Sequence, residues 1–266
     1  MSGVLRRRTS VVGSVMVLCL LGALVGCGSD EPATTPIPDP TESSVTLPFA
    51  ESFDAGPEAA AITTENSVFN VVENEPATFE ISPPPVDGGF VGRYESTGDN
   101  VRTKVEFTGE DGVSLLYERV YLWVESYPSA VMRFLTFETS PDVTPPGEDV
   151  LALRMDPDGL LEVYNGTEFV DSNSTSSPLP TGEWVRLEVM YDANQGDHGQ
   201  SVLRVFSGDN VDGTEPDETV TVEHVASPTH AVTTAAFGVL NFVDVNFSLD
   251  AIEASDTDWV GPAAGE

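Results

Sequence analysis

The stretch Tyr117-Glu-Arg-Val-Tyr-Leu-Trp-Val-Glu-Ser-Tyr127 gathers the groups best suited to recognition. In an extended chain, successive side chains point to opposite faces. Tyr117, Arg119, Tyr121, Trp123, Glu125 and Tyr127 therefore share one face, and Val120, Leu122 and Val124 lie on the other. With the aliphatic face turned to a core, four rings, one guanidinium and one carboxylate form an open row. Flat rings stack on sugars and the charged groups bind hydroxyls. A second reading of the same spacing has the aromatics filling the core edges or packing under loops.

Two oxygen-rich loops offer different chemistry. Asp192 and Asp197 belong to "DANQGDHG", and Asp209 and Asp212 to "SGDNVDGTEPDE". Their carboxylates suit Ca²⁺, although neither loop keeps the alternating Asp/Asn register, closed by Gly, of a helix-loop-helix calcium site. Solvated side chains of an acidic protein are the alternative. His198, His224 and His230 have neither His-x-His nor His-Glu-x-x-His spacing, so zinc has no support. No Gly-x-Ser-x-Gly elbow occurs.

The elements that must position these groups read as strands. "VSLLYERVYLWVES", "VMRFLTF", "DVLALRM", "LLEVYNG", "EWVRLEVMYD", "SVLRVFSG", "ETVTVEHV", "AAFGVLNF" and "VDVNFSLDAIEAS" alternate or are rich in β-branched residues. Gly, Pro, Asp and Asn punctuate them. Asp156-Pro157-Asp158-Gly159 is a hairpin signal, with a preset φ at Pro157 and a permissive one at Gly159. In "GEWVRLEVMYD", Val185, Leu187, Val189 and Tyr191 share one face, and Arg186 and Glu188 the other. Helix signals are nearly absent. So many strands in one domain predict an all-β fold of two stacked antiparallel sheets.

The chain opens with Arg6, Arg7 and Arg8, followed by an apolar run from Val11 to Gly26 that is too short to span a bilayer as a helix. Small residues close the run in Leu24-Val25-Gly26-Cys27, which resembles the lipobox of bacterial lipoproteins. The resemblance implies a signal peptide over 1–26, lipidation of Cys27 and an extracytoplasmic, membrane-anchored protein. One acyl chain holds only marginally, but lipoproteins carry two or three. An ordinary secretory signal is the alternative. Cys19 lies within the leader, so no disulfide and no thiol nucleophile would remain. Residues 27–48 hold five prolines and no aromatic residue, the composition of a flexible tether. The domain is expected over 49–262.

The chain has 11 basic and 44 acidic residues, a net charge of −33. Three of the basic residues lie in the leader. A field of this sign repels phosphate backbones, which excludes nucleic acid, and it disfavours anionic polysaccharides.

"SFDAG", "LPTGEWVRLEVMYD" and "FSLDAIEASDTDWVGP" resemble the concanavalin A-like (laminin G-like) jelly-roll superfamily. Gly182, Trp184, Tyr191 and Asp192 match a recurrent strand motif, and Phe247, Leu249, Asp250 and Ile252 match a closing strand. The resemblance implies a two-sheet antiparallel jelly-roll sandwich with its first and last strands side by side, and sugar binding on one sheet. Glucanases of the superfamily carry Glu-x-Asp-x-x-Glu on one strand. The nearest match, "EPDETV", has Glu215 and Asp217 but Val220 in place of the second glutamate. The basic and aromatic set of jelly-roll lyases is not evident either, so no residue is assigned a catalytic role. Trp259, after the last strand, reads as a lid over the core edge. The expected function is non-catalytic binding of a neutral glycan. A structural or adhesive envelope protein contacting protein partners is the alternative, and a divergent glycoside hydrolase or polysaccharide lyase a third.

Overall fold

A computed structural model describes residues 45–263, except 55, 75–76, 82–88, 99, 108–111, 140–148, 166, 226–230 and 242. Cys27, the leader, His230 and the expected tether up to residue 44 lie outside the described residues. All described residues fall in one unit, Glu42–Glu266.

Strands in chain order are β1 (Phe49–Glu51), β2 (Val71–Asn74), β3 (Thr78–Ile81), β4 (Phe90–Thr97), β5 (Val101–Glu106), β6 (Leu115–Trp123), β7 (Met132–Glu138) and β8 (Asp149–Met155). Then follow β9 (Leu161–Tyr164), β10 (Phe169–Ser174), β11 (Trp184–Asp192), β12 (Gln200–Ser207), β13 (Glu218–Glu223), β14 (Thr234–Val239) and β15 (Asp244–Ser255). One sheet runs β13-β12-β11-β6-β15-β4-β3, with β1 also on β15; the other runs β10-β9-β8-β7-β14-β5-β2. The named strand pairs are antiparallel, and the molecule is an all-β jelly-roll sandwich. As the resemblance implied, the first and last strands pair, Phe49 opposite Ala254.

The core lies between the sheets. Val120, Leu122, Val185, Leu187, Val189 and Tyr191 supply it from β6 and β11, facing Phe134, Leu135, Leu153 and Phe237 of the other sheet. Burying each such side chain stabilises the fold by about 1.5–3 kcal/mol. Packing starts earlier than the expected boundary at 49. The Val45 N–H donates to the Glu106 carbonyl (2.9 Å), and Val45 and Leu47 pack on the core.

β15 carries the irregularity that shapes the outer face. Its inward residues Phe247, Leu249 and Ile252 step by two and then by three. The register shifts between Asp250 and Glu253, and Ala251 has φ of 45°. The extra residue of such a bulge re-aims the chain, so Asp250 and Glu253 both leave the core. Along the same edge of β15, β4 pairs with Asp244–Leu249 and β1 with Ile252–Ala254.

Candidate functional site

The face of the first sheet that turns away from the core can be read as rows of cross-strand partners. The first is Thr78, Arg93, Ser248, Trp123 and Trp184. Next come Asp250, Tyr121, Arg186 and Phe206, then Glu253, Arg119, Glu188, Arg204 and Thr219. The last is Ser255, Tyr117, Met190 and Val202. Tyr117, Arg119, Tyr121 and Trp123 do share this face, as alternation required.

The row is not open along its length, which corrects the expectation. Arg119 is only 4% exposed and Tyr121 8%. The segment after β15 and the turn after β12 cover them. Arg119 donates from Nε to the Ala251 carbonyl (3.0 Å), from Nη1 to Gly261 (3.1 Å) and from Nη2 to Glu253 (2.8 Å). The Tyr121 hydroxyl donates to Asp212 (3.3 Å) and accepts from the Ala263 N–H (3.1 Å). Trp259 lies on this face and not over the core edge, edge-on to Tyr117 at 5.1 Å and under the Arg204 guanidinium at 3.6 Å. Tyr127 has left the strand and donates to the Leu179 carbonyl (2.7 Å). Glu125 stays exposed just beyond the strand end. Neither Tyr121 nor Trp123 lies between the sheets.

Arg186 is fully buried on the covered part. Its guanidinium stacks on Phe206 at 3.7 Å, Nη2 donates to the Gly213 carbonyl, and Nε lies 3.3 Å from Glu188. Burial pushes the Glu188 carboxyl up, against Arg186, Arg204 and Arg119. Asp250 is pushed up to about 7, chiefly by burial and against the Ala251 N–H it accepts from.

The uncovered part is the corner at the first row. Trp123 is partly exposed and packs on buried Trp184 at 5.6 Å. Arg93 reaches Glu80 at 2.8 Å and Glu95 at 3.4 Å. The Glu80 hydrogen bond, opposed by burial and helped by Glu95 and Glu125, holds Arg93 more firmly protonated than usual. A depression of about 140 Å³ borders it, lined by Glu58, Ala59, Thr78, Glu80 and Arg93. The corner can offer a ring to stack on and paired charges to bind hydroxyls. Sequence reasoning passed over Arg93, Trp184 and Asp250 as contributors to one face. For Trp184 the signal was present, because it shares the parity of Arg186 and Glu188.

The two acidic loops do not combine. Asp192 and Asp197 sit before β12, and Asp209 and Asp212 after it, a strand length of about 24 Å apart. Asp192 accepts from the Asn194 N–H, and Asp212 from Tyr121. Among the described residues no group of three or more His, Cys, Asp or Glu is placed to hold a metal ion. Glu215 and Asp217 of the near-match to the glucanase motif lie in a turn, where Asp217 accepts from the Ser207 N–H (2.7 Å) and from Asn210 (2.9 Å). His224 is buried with its Nε2 2.7 Å from Ser201 Oγ, and burial lowers it to about 4.

No family model and no curated protein matches the chain. Solved structures do. The alginate lyase Aly36B superposes with a TM-score of 0.53 at 9% identity, over 81% of this chain and 99% of that one. The endo-β-1,4-glucuronan lyase from the fungus Trichoderma reesei gives 0.51 at 7%, over 78% and 94%. The marine PL-14 alginate lyase from Aplysia kurodai gives 0.50 at 8%, over 77% and 97%. At these identities the likeness establishes the shared sandwich and leaves the chemistry to the residues.

Proposed function

We propose that this chain is a surface-tethered glycan-binding protein. Cys27, lipidated before cleavage removes 1–26, holds it to a membrane on the extracytoplasmic side, and the sandwich binds a neutral glycan at the Trp123 corner. The observation that carries the binding reading is the partly exposed Trp123 ring, backed by Trp184 and in one row with Arg93 and Ser248. A sugar stacks on the indole, and Arg93, Thr78 and Glu125 take its hydroxyls. The structural neighbours are named for cleaving alginate and glucuronan, so a glycan partner suits the fold. Their substrates are polyanions, whereas this corner sets one arginine against Glu80, Glu95 and Glu125 in a chain of net charge −33. That balance favours an uncharged chain.

One observation favours a second reading, a divergent hydrolase or lyase. Asp250, poised at about 7, stands beside Tyr121 on the same face, and a carboxyl near neutrality suits general acid–base work. Against it, the hydroxyl of Tyr121 is engaged at both lone pair and proton.

Affinity electrophoresis through β-1,3-glucan, β-1,4-glucan and mannan, with assay of the gels for new reducing ends, tests both readings. The full chain is expected to be retarded by at least one of them, with retardation lost in Trp123→Ala and no ends released. No retardation by any, or none lost in the variant, overturns the binding site. Reducing ends that vanish in Asp250→Asn replace it with the catalytic reading.

A further inference from the structure

Residues 256–263 leave β15 and run back across the sheet they have just completed. They join it by no backbone ladder among the described residues and are held by side chains of the face. Three groups make the contact. The Trp259 indole fills the space between Tyr117 (5.1 Å) and the Arg204 guanidinium (3.6 Å). The Gly261 carbonyl accepts from Arg119 Nη1 (3.1 Å), and the Ala263 N–H donates to the Tyr121 hydroxyl (3.1 Å). A flat body beneath a guanidinium and beside a tyrosine ring, one acceptor and one donor is also a set that a hexose can present, through its ring and its hydroxyls.

We propose that this strap is an internal stand-in for sugar. It fills a second subsite, made by Tyr117, Arg119, Tyr121 and Arg204, and a neutral glycan long enough to run past the Trp123 corner displaces it. The inference rests on the glycan reading above and adds the regulation of that face. Along β6, Tyr117 lies six residues from Trp123, about 20 Å, a span that several sugar units cover and a disaccharide does not. A short chain therefore binds at the corner without sensing the strap. A long chain competes with it, and its apparent affinity is reduced by the fraction of molecules whose subsite is free. In the closed state the strap supplies partners for polar groups that its own closure takes from solvent, the Gly261 carbonyl for Arg119 Nη1 and the Ala263 N–H for the Tyr121 hydroxyl.

Calorimetric titration with cellobiose, cellohexaose, laminarihexaose and mannohexaose decides it. The chain stopped after Ser255 is expected to bind the preferred hexaose at least about tenfold more tightly than the full chain, as it would if the strap frees the subsite a tenth of the time or less. Cellobiose is expected to bind both chains alike. Trp259→Ala in the full chain should shift hexaose binding in the same direction, and it carries the test if circular dichroism shows the shortened chain unfolded. Equal hexaose affinity in the full chain and these variants, with binding still lost in Trp123→Ala, overturns the strap and leaves the corner standing. Failure of every sugar to bind either chain overturns both.

Discussion

Glu118 is the polar member of an otherwise apolar set. It lies between Leu116 and Val120 on the inward parity of β6 and is 1% exposed. Neither carboxyl oxygen has a hydrogen-bond partner, and burial pushes its pKa well above the ordinary range. A carboxyl in such surroundings keeps its proton at neutral pH, because desolvation penalises the charged form. Because the folded value is raised, stability from this group is complete below the unfolded pKa near 4.5 and is lost as pH climbs toward the folded one. Glu118→Leu should therefore stabilise the domain by about 1–3 kcal/mol at pH 7 and by less at pH 4. Urea unfolding at the two pH values checks this, and an equal gain at both would show that the proton plays no part. Alternation alone places this glutamate inside; its protonation follows only from the packing around it.

At the scale of elements, the β8–β9 hairpin joins local turn chemistry to a distant residue. The Asp156 carboxylate accepts from the Asp158 and Leu160 N–H groups (2.9 Å each), and the Gly159 N–H donates back to the Asp156 carbonyl (3.1 Å). Gly159 has φ of 85°, and a Cβ there would sit 2.5 Å from the Tyr127 ring. Gly159→Ala should cost about 1–3 kcal/mol, from the left-handed backbone and the clash together. In a Tyr127→Ala background the cost should shrink to the backbone part, which thermal melts of the four chains will show; an undiminished cost would remove the ring from the account. The turn was legible in Asp-Pro-Asp-Gly, and the strands from β6 onward in their alternation, except β10, whose Phe-Val-Asp-Ser-Asn-Ser has no apolar alternation. The strands before Val113 were not. β1, β2 and β3 span three or four residues, too few for a period to register, and β4 turns Val91 outward beneath Tyr121. The bulge in β15 was written in the spacing Phe247, Leu249, Ile252, but that spacing alone did not say which groups it would re-aim.

For the molecule as a whole, the eight basic residues after residue 26 all stand on strands, and each is paired with a carboxylate. The remaining acids leave a strongly negative surface that keeps polyanions away. The proposed attachment through Cys27 would set the neighbourhood in which this surface acts. Labelled palmitate fed to cells making the full chain should enter the protein and follow it into the membrane fraction, and Cys27→Ser should lose both; label retained in the variant would break the anchor. The sequence by itself determined the class of fold, which residues share a face of β6 and of β11, and the net charge, because these depend on residue type and on a period of two. The tertiary structure alone decided which outward groups are accessible. A segment with no period of its own, Asp256–Ala263, folds back over Arg119 and Tyr121 and leaves Trp123 partly exposed. Exposure depends on what else in the chain competes for a face, and that competition is settled by packing between residues more than a hundred positions apart.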